Sequence, residues 1–400
     1  MGYYALFKEI FMKLFKNLLA LLVALTCVFT VVACDEGETS EELDTTKTGW
    51  ALEYEIEEAS EENDNKSYIV ITGLFLSDGE KYALSEENYD TLPLAIEDKI
   101  KVPVYDEKKK PVYEAKDGKD VLKTEELSLG NHAGFKIADA AFAGQLIIDS
   151  VKLSDKVVEI GSGAFAGCSN VEEMVLPFVG ATAGENLNQK KLFAYIFGTS
   201  EVSNCTLITC KYNNSGTQDY YIPNALKKVE INVQGSELNA YAFNGVATLE
   251  DIVIKGDVTV IGNAAFEGCS AAYNITIPTT VTEIGVAAFK NCSKLINFAF
   301  PTALVTIYQE AFAGCSRLGY GKNVVVELAN VTHVYDKAFR GCASISSVKL
   351  ANVQVIGESA FYGCSSLEVC EYNSQANVGN DAFTGCPFNE EKDSSDVELQ

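Results

Sequence analysis

The sequence is poor in the side chains on which most enzyme and metal sites depend. Its 400 residues include two histidines, one tryptophan and three methionines. His132 and His333 lie far apart in the chain, and neither belongs to a nucleophile or metal-binding motif. No G-x-S-x-G, H-E-x-x-H or P-loop sequence occurs. We therefore predict that the protein is not an enzyme and has no metal site and no cofactor.

Basic residues are also scarce, which excludes two classes of partner. Lys and Arg number 31 against 56 Asp and Glu, so the formal net charge is −25 at pH 7. No basic cluster is dense enough to displace counterions from a phosphate backbone. The same shortage argues against electrostatic docking on an anionic lipid surface. We predict no nucleic-acid partner, and contact with a membrane only through an N-terminal lipid.

The first 34 residues have the composition of an export signal. A short positive segment, Met12–Lys16, precedes the apolar run Leu18–Val32, and Val31-Val32-Ala33-Cys34 follows. This ending resembles a bacterial lipobox, in which the cysteine is acylated; the alternative is a transmembrane helix ending in a free cysteine. We predict a lipoprotein signal peptide at residues 1–34, lipidation at Cys34, and a location in the bacterial cell envelope, at the outer membrane or cell surface.

Three further segments flank the central part of the chain. Residues 35–46 form an acidic tether, since such composition cannot bury enough surface to fold. Residues 47–130 contain alternating strand patterns in Trp50–Ile56 and Ser67–Leu76. They predict a β-rich N-terminal cap, with an independent functional domain as the alternative. We assign Trp50 to the core of this cap rather than to a ligand platform. Residues 389–400 form an acidic tail.

An Ala-Phe pair recurs through residues 131–388 and defines a repeat. Its Phe stands mostly 22 or 23 residues from the next one, at positions 142, 165, 243, 266, 289, 312, 339, 361 and 383. The second residue after the Phe is Gly in eight copies and Asn291 in the ninth, which predicts a positive φ there. An L-x-x-V-x-I segment follows, and its alternation predicts a strand. A period in the twenties is typical of a stacked solenoid.

These features predict the fold class. We expect an α/β solenoid of leucine-rich-repeat type, a right-handed superhelix of about 11 coils with a β-rich cap and a monomeric state. Each coil would contain a short parallel strand and a short helical or 3-10 turn. Two degenerate coils, with Phe197 and Tyr220 at the Phe position, would fill the interval from Phe165 to Phe243. An insertion at about residues 198–219 should bulge from one face.

Seven of the 12 cysteines follow the repeat Phe by three residues: Cys168, Cys269, Cys292, Cys315, Cys342, Cys364 and Cys386. One thiol per coil predicts a ladder of small buried hydrophobic side chains, and Val246 replaces the thiol in one coil. Zinc ligation is disfavoured because the chain has no C-x-x-C pair and no nearby His. Cys205 and Cys210 lie in the insertion. For an exported protein, a local disulfide and two free thiols both remain open.

The repeat pattern A-F-x-G-C-S-x-L…V-x-I-P…V-x-x-I-G resembles the BspA-type, or treponemal-class, leucine-rich repeat over about Phe135–Cys386. The resemblance implies a bacterial surface or secreted protein, and some members of this family are adhesins for host matrix proteins or other bacteria. It supplies no catalytic residues.

We expect exposed side chains of the repeats to contact a partner, because they vary without cost to the core. Candidates on the strand face are Asn274, Thr276, Asn297, Ala299, Ser347 and Lys349, and candidates in the insertion are Tyr212, Tyr220 and Tyr221. The alternative is that all of these side chains are solvated surface residues without a binding role. The predicted function is surface-anchored binding or adhesion to a protein or other macromolecule on host or bacterial surfaces. The alternative is a structural or assembly protein of the envelope without a host ligand.

Overall fold

Short strands joined by tight turns form nearly all of the regular structure. The computed structural model describes residues 47–48, 50–76, 92–116, 119–184, 188–296, 298–321 and 324–388. The predicted signal peptide, Cys34, residues 35–46, Asn297 and the C-terminal tail lie outside the described residues. Residues Thr46–Gln400 form one compact unit.

The described residues between 47 and 130 contain eight strands, and three of them belong to sheets that continue into the repeat region. The eight are β1 (Lys47–Thr48), β2 (Trp50–Glu57), β3 (Tyr68–Leu76), β4 (Leu92–Ile96), β5 (Lys99–Pro103), β6 (Tyr113–Lys116), β7 (Lys119–Leu122) and β8 (Thr124–Ser128). A 3-10 helix, Glu61–Asn63, lies between β2 and β3. Strands β2 and β3 form an antiparallel pair, as do β5 and β8 and also β6 and β7. Trp50 packs partly buried against the core.

The repeat region contributes the remaining strands. Before the insertion these are β9 (Phe135–Ile137), β10 (Ile148–Leu153), β11 (Val157–Ile160) and β12 (Glu173–Leu176). The 3-10 helices Asn188–Lys191 and Phe193–Phe197 follow β12, and then come β13 (Cys205–Lys211) and β14 (Thr217–Pro223) of the insertion. After it come β15 (Lys228–Asn232), β16 (Glu237–Leu238), β17 (Asp251–Lys255), β18 (Val260–Ile261), β19 (Asn274–Thr276), β20 (Glu283–Ile284), β21 (Thr306–Ile307), β22 (Val325–Glu327), β23 (His333–Val334), β24 (Ser347–Leu350), β25 (Val355–Ile356), β26 (Val369–Tyr372) and β27 (Asn377–Val378).

Most of these strands stack into two long sets, called here the front and back sheets. The front sheet has the order β4-β10-β12-β15-β17-β19 and, after an interruption, β22-β24-β26. The back sheet comprises β2-β3-β9-β11 and then β16-β18-β20-β21-β23-β25-β27. Equivalent residues of successive turns are paired in parallel register, as with Val229 and Ile252. The predicted parallel-strand solenoid is therefore confirmed.

A ladder of phenylalanines, one per turn, fills the core: Phe142, Phe165, Phe193, Phe243, Phe266, Phe289, Phe312, Phe339, Phe361 and Phe383. Neighbouring rings stack with centroids 4.9–5.5 Å apart, first between Phe142 and Phe165 and then from Phe193 through Phe383. The solenoid thus has about ten turns, not the predicted eleven.

The difference lies between Phe165 and Phe243, where the chain forms one turn instead of two. The Phe165 amide donates to the Ile196 carbonyl at 2.8 Å, and the Phe193 amide donates to the Ala242 carbonyl at 2.8 Å. The segment Phe193–Phe197 therefore occupies the place of a full turn. Tyr220 belongs to the antiparallel pair β13–β14 instead. Its predicted role as a ladder residue was wrong.

The turns that carry the Ala-Phe pair are not helical. They contain hydrogen bonds from residue i+3 to residue i, as from the Cys315 amide to the Phe312 carbonyl at 3.1 Å. Two residues per turn have a positive φ: the predicted Gly or Asn position, as at Asn291 (62°), and a second one two residues before the Phe, as at Glu310 (55°). A helix needs consecutive right-handed residues, so these two positions prevent it. The positive φ at the first position is confirmed, but the α component of the fold class is not.

Candidate binding surface

Ion pairs cover much of the outward face of the front sheet. Strand residues alternate between core and solvent, and parallel pairing places outward side chains of successive turns side by side. The closest pairs join Lys152 to Glu97 and Lys255 to Glu230, each at 2.6 Å, and further pairs join Lys228 to Glu173 and Lys349 to Glu327, each at 3.5 Å. The charged part of this face is thus largely satisfied by the chain itself.

The front sheet is interrupted between β19 and β22, where Phe298 and Phe300 occupy the two inward positions of the missing strand. Other turns have aliphatic side chains there, such as Ile252 and Ile254. The Phe298 ring packs edge-on against the core ladder, with its centroid 4.9 Å from that of Phe289. Two rings require more space than two aliphatic side chains, which explains the loss of strand pairing at this turn.

A groove of about 390 Å³ lies at this interruption. Its lining residues are uncharged: Asn274, Ile275, Thr276, Ile277, Ile296, Phe298, Ala299, Tyr320 and Val324. Tyr320 is 59% exposed, and the neighbouring Tyr273 is 44% exposed. The groove is therefore an apolar and amide-bearing patch on a face that is otherwise charged.

Main-chain groups of β19 also point into the groove. Alternate residues of a parallel strand bond to opposite neighbours. The Asn274 amide bonds back to the Glu250 carbonyl at 3.3 Å, whereas the Tyr273 carbonyl accepts from the Ile296 amide on the groove side at 3.1 Å. Ile275 follows Asn274 in the strand, so alternation directs its amide and carbonyl towards the groove. The site therefore offers hydrogen bonds as well as apolar area.

Three of the predicted contact residues, Asn274, Thr276 and Ala299, line this groove. Asn274 donates to a carboxylate oxygen of Asp251 at 2.5 Å. Ser347 and Lys349 lie further along the same face, in β24, and are half-buried. Sequence reasoning missed Tyr320 and Val324. The available signal was the 27-residue spacing from Phe312 to Phe339, which marks a longer turn.

The tyrosines of the insertion do not form an exposed cluster. Tyr220 is 2% exposed, so its predicted role as an aromatic anchor was wrong. Tyr212 and Tyr221 are half-buried. The β13–β14 hairpin is held against the array, since the Lys211 amide donates to the Asn244 side chain at 2.8 Å and the Tyr241 hydroxyl donates to Asn214 at 2.6 Å.

Cys205 and Cys210 are free thiols in the same strand, β13. Five strand positions span roughly 17 Å, whereas a disulfide requires Cα atoms within about 7 Å. The structure therefore does not contain the disulfide considered above. Cys210 faces the core, and burial raises the pKa of its thiol to about 12.

The repeat cysteines form the predicted ladder and add a hydrogen bond that the sequence did not reveal. Each thiol donates to the carbonyl of the repeat Phe one turn earlier, with Sγ–O distances of 2.9–3.3 Å. Burial raises the pKa of the Cys168 thiol to about 12.

Within the described ranges, no group of three or more His, Cys, Asp or Glu side chains is arranged to hold a metal ion. None of the helices described is long and apolar enough to cross a membrane.

The strands of successive turns stack in parallel, the core contains one Phe per turn, and the repeat thiols donate hydrogen bonds between turns. These features define a solenoid of leucine-rich-repeat type. The chain belongs to the BspA type leucine rich repeat family, whose model matches in 6 copies at residues 135–272, 190–319 and 320–397. No curated protein matches the chain.

Solved leucine-rich-repeat structures are also similar to this chain. The T. pallidum leucine rich repeat protein TpLRR shares 27% identity, covering 43% of this chain and 83% of its own, with a TM-score of 0.38. A leucine-rich repeat protein from Eubacterium ventriosum shares 22% identity, covering 64% and 83%, with a TM-score of 0.38. A leucine rich cell surface protein from Faecalibacterium prausnitzii shares 17% identity, covering 88% and 82%, with a TM-score of 0.29. All three TM-scores are below 0.5, so the family assignment rests on the match to the family's repeat sequence model.

Proposed function

We propose that this chain is a surface-anchored protein that binds another macromolecule, in adhesion to host matrix or to other cells, through the groove of the front sheet. The observation that carries the proposal is the uncharged groove on a face otherwise covered by ion pairs. Concave apolar sites with a few convergent polar groups are typical of binding sites, and exposed aromatic side chains commonly supply much of the binding energy. The proposal includes no catalytic step.

The proposed test uses residues 35–400, which contain the whole compact unit Thr46–Gln400. The purified protein is assayed for binding to immobilised collagen, laminin and fibronectin and to bacterial cells. Thr276→Lys places a charge in the groove and should weaken binding at least tenfold. Tyr362→Ala removes an exposed tyrosine outside the groove and should leave binding unchanged. If the unaltered protein binds no host or bacterial surface, the alternative of a structural or assembly protein of the envelope is favoured.

The proposed anchor is a lipid on Cys34. Acyl chains contribute about 0.8 kcal/mol per buried CH₂, so two or three chains would retain the array at a bilayer. Cys34→Ala should move the protein from the membrane fraction to the soluble fraction. A variant that still sediments with membranes would show that the lipidation proposal is wrong.

A further inference from the structure

Two tyrosines replace repeat glycines on the back sheet. The residue directly after the last Ile or Val of a back strand is Gly in five turns: Gly161, Gly262, Gly285, Gly357 and Gly379. At these positions an added Cβ would lie within 3.0 Å of the preceding turn, for example 2.4 Å from the Asp336 amide nitrogen at Gly357. Two successive turns instead have Tyr308 and Tyr335.

The two rings form a stacked pair at the surface. Their centroids are 5.4 Å apart and their planes differ by 2°. The Tyr308 hydroxyl donates to a carboxylate oxygen of Glu283 at 3.2 Å. Burial and the nearby Glu283 raise the pKa of Tyr308, so this hydroxyl remains protonated and orients the carboxylate. An aromatic pair and an acidic group are thereby brought together.

Glycines lie next to both ends of the stack. Pairing of Ile284 with Ile307 places Gly285 beside Tyr308, and pairing of Val334 with Ile356 places Gly357 beside Tyr335. Glycine has no side chain to cover a neighbouring ring, but the His333 ring stacks on Tyr335, with centroids 5.8 Å apart. In register, the stack therefore ends beside Gly285, on the Tyr308 side, where a ligand group could continue it next to Glu283.

Some other tyrosines of the described residues are paired with a cation. Arg317 lies 5.2 Å from the Tyr320 ring centroid, Arg340 lies 5.3 Å from that of Tyr362, and Lys136 lies 4.1 Å from that of Tyr68. Over the part of the chain that the structure describes, the cation–ring contacts do not include Tyr308 or Tyr335. The charged neighbour of Tyr308 is instead the carboxylate of Glu283.

We propose that Tyr308, Tyr335 and Glu283 form a binding site for a guanidinium group, presented by an arginine-bearing basic segment of a partner protein. A guanidinium stacks on aromatic faces and forms charge-assisted hydrogen bonds with carboxylates, and this site offers both. The net charge of −25 also favours encounter with a basic partner. The site lies on the back sheet and is independent of the groove.

The test measures binding of residues 35–400 to a fluorescein-labelled nonapeptide of alternating Arg and Gly. The matched peptides have Lys or Gln in place of Arg. We expect the Arg peptide to bind most tightly and Tyr308→Leu to weaken it about tenfold. Tyr308→Phe keeps the ring and should retain most of the affinity. Tyr105→Leu, at an exposed tyrosine of the N-terminal region, should leave the affinity unchanged.

A second pair of variants separates a specific site from general charge attraction. Glu283→Gln should weaken binding of the Arg peptide about tenfold more than Glu327→Gln, which removes the same charge on the front sheet. Glu283 is half-exposed, so this comparison remains valid even if Tyr308→Leu fails to fold. The proposal would be overturned if Tyr308→Leu had the same effect as its tyrosine control and Glu283→Gln had the same effect as Glu327→Gln. Equal binding of the Arg and Gln peptides would also overturn it. The proposal would also be overturned if the protein bound a neutral oligosaccharide in a manner that depends on Tyr308 and did not bind the Arg peptide.

Discussion

The inward and outward ladders of this solenoid follow opposite rules. Inward positions repeat the same side chains, so Phe rings of successive turns stack and each repeat thiol donates a hydrogen bond to the Phe carbonyl of an earlier turn. Outward positions of the same strands change from turn to turn, from ion pairs on the early front strands to the uncharged groove after β19. Stacking fixes the backbone from inside, and the outer surface can vary because it contributes little to that stacking.

The largest expected difference between the ladders is their response to alkaline pH. Burial raises the pKa of the inward thiols Cys168, Cys269, Cys292 and Cys342 above the value of an exposed thiol. The folded state then keeps protons that the unfolded state releases, so their contribution to stability is present below about pH 8.5 and is lost as the pH rises towards the folded pKa values. Each thiol should lower the free energy of unfolding by up to about 1.4 kcal/mol per pH unit. Urea unfolding at pH 8, 9 and 10 measures this.

A single substitution isolates one thiol in that profile. Cys168→Val uses the side chain that Val246 supplies in another turn and should reduce the pH slope by the contribution of one thiol. A free energy of unfolding that stays constant from pH 8 to pH 10 would contradict the assignment of these thiols to the core.

Truncation of one inward ring should have the next largest effect. Phe312 is fully buried and stacks on Phe289 and Phe339. Phe312→Ala should lower the free energy of unfolding by about 3–5 kcal/mol, because it removes apolar contacts and leaves a cavity. The outward counterpart, Tyr273→Ala, should cost about 0.5 kcal/mol or less in the same urea titration. Equal costs would remove the distinction between the ladders.

The turns between the sheets should show an intermediate effect. Gly363 has a φ of 71°, and an added Cβ would meet no atom within 4 Å. Gly363→Ala should therefore cost about 1–2 kcal/mol through backbone strain alone. Gly363→Asn should cost less, because Asn291 occupies the equivalent position with a φ of 62°. Thermal unfolding of the two variants tests this order, and a less stable Asn variant would refute it.

Removal of an outward ion pair should have the smallest effect. Lys255 and Glu230 are 2.6 Å apart on the front sheet, and the Lys255 side chain is 53% exposed. Such pairs contribute about 0.2–1 kcal/mol because water and salt screen them. A double-mutant cycle with Lys255→Met and Glu230→Gln should give a coupling energy in this range that decreases at high salt. A coupling of several kcal/mol would mean that the outer ladder also holds the fold.

The same contrast explains which features the sequence predicted. The Ala-Phe spacing predicted the solenoid because the inward residues recur, and the Gly or Asn position predicted its positive φ because few other residues tolerate it. The second left-handed position is occupied by residues such as Ala287, Glu310 and Lys337, whose identity does not indicate that conformation. The α component of the predicted fold class is not confirmed for that reason.

The candidate site was predictable only in part. Alternation placed Asn274, Thr276 and Ala299 on the outward face, and the groove lies there. Its origin is the pair Phe298 and Phe300, which fit the inward pattern by hydrophobicity but not by size. The predicted ladder position of Tyr220 was wrong for a different reason. The 23-residue spacing matched a ladder position, but the residue lies in a strand of the hairpin.

The hydrogen bond from each thiol to the previous Phe carbonyl connects only adjacent turns. Duplication of one complete 23-residue unit would therefore create a new neighbour of the same kind at each junction, with existing contacts unchanged. Each such event would lengthen the array by about 4.8 Å, the spacing between strands. Genes for arrays of this type can thus change the reach of their product in whole steps, and the added outer surface is free to diverge.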